Sequence, residues 1–152
     1  MNKSNSRYST NELVKISLLA ALAFASTLLL SIKFFNFLTY EPKDVIIMLA
    51  GMTFGPLVTI IIAFVVSFIE MITISADGIL GMIMNILSSV AFVTTATTIY
   101  YRKRNMTSLI VGLIVGSLMT TLIMVGWNYL ITPIYLQIPR AEVLLLIKSA
   151  II

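Results

Sequence analysis

The chain has 152 residues, 59% of them hydrophobic and 11% charged, with mean hydropathy +1.05 and a formal net charge of +4. A soluble domain covers its surface with roughly 25% charged residues, so this much apolar surface must face lipid. Cysteine and histidine are both absent, which excludes disulfides, thiolate or imidazole metal sites and histidine-based catalysis.

The basic excess lies mainly in two short clusters beside apolar segments: Lys3, Arg7 and Lys15, then Arg102, Lys103 and Arg104. Such placement is a topology signal and not a nucleic-acid-binding face. The polar N-terminus is followed by the uncharged run 16–32. Its 17 residues exceed a signal-peptide core of about 7–15, so the run reads as a retained first span.

The first helix is expected over 13–32, about 30 Å long, the thickness of the hydrocarbon core, with Thr10 or Asn11 as its cap. Residues 33–44 break the pattern and read as a loop carrying Phe34, Phe35, Phe37 and Tyr40. Residues 45–69 are uncharged but interrupted by Gly55-Pro56. A single crossing there would send Arg102–Arg104 to the opposite side from the N-terminal cluster. A reversal at Gly55-Pro56 keeps both clusters cytoplasmic, as the positive-inside rule asks. The reversal is preferred, and it makes helix two (42–54) only about 20 Å long.

Helix three is expected over 57–74, followed by a turn in which Asp77 caps the next helix. Helices four (79–101) and five (108–131) carry no charge. Thr132-Pro133 ends helix five, and Pro139 starts helix six (139–152). The chain stops before helix six completes a crossing, as expected of a sequence that continues beyond Ile152. The fold class is thus all-α: one transmembrane domain, 1–152, of six helices with the last incomplete. Six basic residues fall inside, against Lys33, Lys43 and Arg140 outside.

Several residues invite a functional reading. Ala21 and Ala25, extended by Ser17, put small side chains on one face of helix one; they serve either packing within the bundle or docking to a partner membrane protein. Gly112 and Gly116 read as internal packing. Glu70 is an acid near a span; it serves proton coupling, sits solvated at the rim, or pairs with Lys43 or Arg140. Tyr40, Glu41, Lys43 and Asp44 gather at the outer side, with Trp127, Asn128 and Tyr129 near the outer end of helix five. Asn85 lies about two turns into helix four. Asn85 and Asn128 together offer amide donors and acceptors to a planar heterocycle, and aromatic rings stack on such a ligand. Trp127 and Tyr129 read equally as an interfacial belt, and Asn85 as a bond to a neighbouring helix.

The residues Tyr40-Glu41-Pro42-Lys43-Asp44, Phe54-Gly55-Pro56-Leu57, Asn85, Trp127-Asn128-Tyr129, Pro133 and Pro139-Arg140-Ala141-Glu142 together resemble the riboflavin-binding S components of energy-coupling-factor (ECF) vitamin transporters. The likeness implies a six-helix bundle in a bacterial cell membrane, N-terminus cytoplasmic, that captures a vitamin at its outer face. It further implies docking through Ala21 and Ala25 on a membrane coupling protein driven by two ATPases. Tyr40, Glu41 and Asp44 would cover the ligand, and Asn128, with Asn85, would hold the flavin. The family's Phe-Asn-x-x-Lys pattern in the last helix does not occur before Ile152, and Lys148 is not given its role. The loop has Glu-Pro-Lys-Asp where many members carry a Phe-Ser-Asp-type segment. No P-loop occurs, so nucleotide hydrolysis must come from partners; the expected protein is a substrate-binding subunit and no enzyme, with no metal or cofactor expected. Three other functions stay open: an S component for another vitamin, a proton-coupled transporter using Glu70, and a membrane scaffold without ligand.

Overall fold

A computed structural model describes residues 8–35, 38–74 and 78–136, with 32–40 as backbone only. In chain order it contains α1 (Thr10–Leu30), a hairpin of β1 (Ile32–Phe35) and β2 (Leu38–Tyr40), α2 (Lys43–Phe54), α3 (Pro56–Thr73), α4 (Gly78–Ser89), a π-helical turn (Val90–Thr94), α5 (Thr95–Lys103) and α6 (Met106–Leu136). The π turn joins α4 to α5 without a break, so these three form one rod. Four helices are long and apolar enough to cross a membrane: Thr10–Leu30, Pro56–Thr73, Gly78–Lys103 and Met106–Ile131. The short α2 is a fifth, and the expected sixth helix lies outside the described residues, as do Asp77 and Arg140.

Local sequence explains each start and stop. Ser9 caps α1, its Oγ accepting from the Glu12 backbone N–H while the Glu12 carboxylate accepts from the Ser9 N–H. This reciprocal box displaces the caps expected at Thr10 or Asn11. Gly55 adopts φ 102°, a conformation that disfavours any residue with a side chain, and Pro56 follows at the first position of α3. Asn105 caps α6, accepting from the Ser108 N–H at 2.8 Å. Two expectations need correction. Residues 33–44 are not simply a loop, because Ile32 pairs with Tyr40 and Lys33 with Thr39 in an antiparallel hairpin. And Pro133 does not end its helix: α6 runs on to Leu136. Proline costs one backbone bond and a clash in the preceding turn, and the helix continues through it.

The chain reverses at Gly55. Lys43, at the start of α2, bonds Glu70 near the end of α3, while a Cβ on Gly51 would overlap the Thr59 methyl near the start of α3. The two helices are therefore antiparallel neighbours. The rod α4–α5 returns alongside them, with Thr94 and Thr59 joined at 2.8 Å through their hydroxyls. Lys43, Glu70, Asn85 and the β-hairpin thus share one end of the bundle; the N-terminus and Arg102–Arg104 share the other. The core lies around α2 and α3, with Ile47, Ala50, Val58, Ile62 and Val66 buried against Ala23 and Val93. Leucines and isoleucines such as Leu22, Leu29, Ile72 and Leu122 face outward, as they should in lipid.

Gly112 and Gly116 act within the bundle. A Cβ on Gly112 would stand 2.7 Å from the Ala96 carbonyl oxygen, and one on Gly116 would stand 2.8 Å from that of Phe92. These are backbone contacts, which do not yield as a flexible side chain does. Small residues here let α6 approach α5 and the π turn backbone to backbone. Gly112→Val is expected to destabilise the bundle by about 1–3 kcal/mol, the usual cost of overpacking, seen as a lower midpoint of thermal unfolding in detergent.

Candidate functional site

Polar side chains converge at the hairpin end of the bundle. Lys43 opens α2 and is only 2% exposed. Its ammonium reaches Glu70 Oε2 at 2.7 Å and is also paired with Glu41. Glu70 is 4% exposed and accepts a second hydrogen bond from Asn85 Nδ2, again on Oε2, at 3.1 Å. One residue along from Lys43, Asp44 Oδ1 accepts from Ser89 Oγ at 2.6 Å. Four segments (the start of α2, the end of α3, α4, and Glu41 after the hairpin) are thus tied by charge-assisted bonds.

Such a cluster makes sense only as a set. An isolated buried charge in a lipid-embedded protein is costly, and pairing plus further hydrogen bonds makes it tolerable. Glu70 is the single charged residue of α3, and Lys43 and Asn85 are its compensation. Of the roles open to Glu70, a solvated place at the rim is excluded by its burial; pairing with Lys43 is what the structure contains. Lys43 accordingly belongs to the interior and does not act as a loop charge.

The other expected site residues fall as follows. Glu41 and Asp44 join the cluster, Glu41 remaining part-exposed. Asn85 joins it too, with its amide turned to α3. Tyr40 closes β2, and its side chain lies outside the description. Trp127, Asn128 and Tyr129 sit on α6. Since α6 runs antiparallel to α5, with Gly112 opposite Ala96 and Gly116 opposite Phe92, these three lie towards the same end as the cluster. Asn128 Nδ2 donates to the Met124 carbonyl within its own helix at 2.8 Å, and Tyr129 is 38% exposed. Trp127 Nε1 is buried and has no acceptor among the described residues. No direct bond between Asn85 and Asn128 is present: each amide has a different protein partner.

Sequence reasoning underrated Lys43, Glu70 and Ser89 as a unit. A signal was available: a lone acid in an apolar helix requires a buried partner, and Lys43 follows Pro42 at the head of the helix that folds back on α3. At the opposite end of the bundle, an open groove of about 270 Å³ runs beside Arg102, Lys103 and Asn105, well separated from the cluster. Among the described residues no group of acids suits a metal ion. On α1, Ser17 and Ala21 are exposed and Ala25 is half-buried, whereas Ala23, Ser26 and Thr27 point into the bundle.

Comparison with known proteins bears on this arrangement directly. A family model described as ECF transporter, substrate-specific component, matches residues 11–152. The chain belongs to this family. A solved structure described as "Structure and mechanism of the S component of a bacterial ECF transporter" superposes on the S-component fold seen here with a TM-score of 0.75, at 33% identity, over 93% of this chain and 82% of that one. The riboflavin transporter RibU of Staphylococcus aureus (strain TCH60) is 36% identical over 126 residues, which is 81% of this chain. This S component spans 66% of the length of that relative. Membership in a multi-pass membrane transporter family accords with the four apolar spans.

Proposed function

We propose that this S component captures riboflavin at the hairpin end of the bundle and delivers it to a membrane coupling protein powered by two separate ATPases. The observation that carries the reading is the 36% identity to a protein named as a riboflavin transporter. The geometry supports it: one end of the bundle collects Glu41, Lys43, Asp44, Glu70 and Asn85, with Trp127, Asn128 and Tyr129 directed to the same end, while the other end carries the basic loop. By the positive-inside rule the basic end, with the N-terminus, is cytoplasmic, and the polar end opens to the exterior. Tyr40, Glu41 and Asp44 would flank the ligand, while Asn85 and Asn128 would exchange an intrahelical or interhelical bond for one to the flavin ring.

The chain has a single tryptophan, Trp127, which makes a direct test. Riboflavin titrated into the purified protein should quench both flavin and Trp127 emission saturably at one-to-one stoichiometry. A folded protein that leaves both emissions unchanged, yet responds to another vitamin, would make this an S component of different specificity. Uptake in cells lacking the ATPases, abolished by Glu70→Gln, would instead point to proton coupling.

A further inference from the structure

Glu70 has an unused oxygen. Both of its donors, Lys43 Nζ and Asn85 Nδ2, fall on Oε2. Oε1 is buried and meets no donor among the described residues. Two donors on one oxygen hold the carboxylate in a fixed plane and leave the lone pairs of the other for a further donor. A buried acceptor without a partner costs about 1–3 kcal/mol, more when it is charged, so a ligand that supplies the donor gains what the described residues do not provide. Trp127 Nε1 is the matching case on α6: a buried donor, towards the same end, without an acceptor among the described residues.

We infer that Glu70 Oε1 is a ligand contact that accepts a hydrogen bond from a hydroxyl of a polyol tail, and so selects flavins bearing that tail. The inference rests on the riboflavin reading above. A carboxylate accepts only. The polar edge of a flavin ring offers a carboxylate one donor, N3–H, set between two carbonyl oxygens that oppose its approach. A sugar-alcohol chain presents a row of O–H donors, and an O–H donated to a carboxylate is among the stronger hydrogen bonds. Lys43 and Asn85 are positioning residues in this account: they turn the carboxylate so that Oε1 meets the ligand.

The test compares riboflavin with lumiflavin, the same ring without the polyol. Glu70→Met alone leaves the buried Lys43 ammonium with the part-exposed Glu41 as its acid partner and puts folding at risk, so the decisive protein is the double variant Lys43→Met/Glu70→Met, which removes both buried charges of the Lys43–Glu70 pair. Its preference for riboflavin over lumiflavin should shrink about tenfold relative to the unmodified protein, corresponding to roughly 1.4 kcal/mol. An unchanged preference overturns the inference, whether both flavins keep their affinity or both weaken in parallel; the latter result means Glu70 only braces the helices. If the unmodified protein binds neither flavin, the riboflavin reading itself fails and this inference with it.

Discussion

Lys43→Met is expected to lower the stability of the folded bundle by about 3–5 kcal/mol, the cost of removing one partner from a buried ion pair. The ammonium is 2% exposed and the Glu70 carboxylate 4%, so water cannot take the place of the missing partner. What remains is Glu70 with Asn85 as its one neutral donor, and Glu41 with its own charge unmatched. Thermal unfolding in detergent, followed by circular dichroism, measures the effect. The double variant with Glu70→Met should recover most of it, because two apolar side chains of similar volume replace a pair that broke even at best. A single variant within about 0.5 kcal/mol of the parent, the usual range for surface changes, would mean that the pair is hydrated and contributes little.

The second large effect concerns partners. Ala21→Leu with Ala25→Leu should abolish riboflavin uptake by the assembled transporter while leaving riboflavin affinity of the isolated subunit unchanged. Ala21 is exposed and Ala25 half-buried, on a side of α1 away from buried Ala23, Ser26 and Thr27. Added methyl groups at Ala21 therefore project from the bundle and meet whatever docks there. Close helix approach in lipid depends on small side chains. Overpacking costs about 1–3 kcal/mol per site, so two sites suffice to dissociate a complex of moderate affinity. Co-purification with the coupling protein and a flavin titration separate the two readouts. Lost affinity with intact co-purification would show that these alanines support the bundle and not its docking.

Much of the fold was legible in the sequence for definite reasons. Apolar length gave the spans, and Gly55-Pro56 marked the reversal because glycine tolerates φ 102° and proline suits the first helical position. Gly112 and Gly116 were correctly read as packing positions. The hairpin Ile32–Tyr40 was missed because its strands are three and four residues long, too short for alternation to rise above an aromatic-rich loop. Pro133 misled because proline disfavours a helix interior without forbidding it. The site was only partly legible. Asn85 and Asp44 were singled out by chemistry, but their partners Glu70 and Ser89 stand 15 and 45 positions away, and periodicity within one helix carries no information about such distances.

The wide turn Val90–Thr94 has a geometric consequence. Ser89 and Thr97 both face α2, the first bonded to Asp44 and the second against Gly51. On α2 these two landmarks are seven positions apart, close to two whole turns of α-helix; on the rod they are eight apart, about 80° too many for a regular helix. A π turn holds one surplus residue and so cancels the excess rotation. It works as a phase corrector, letting a single rod present Ser89 before the turn and Thr97 after it to the same short helix.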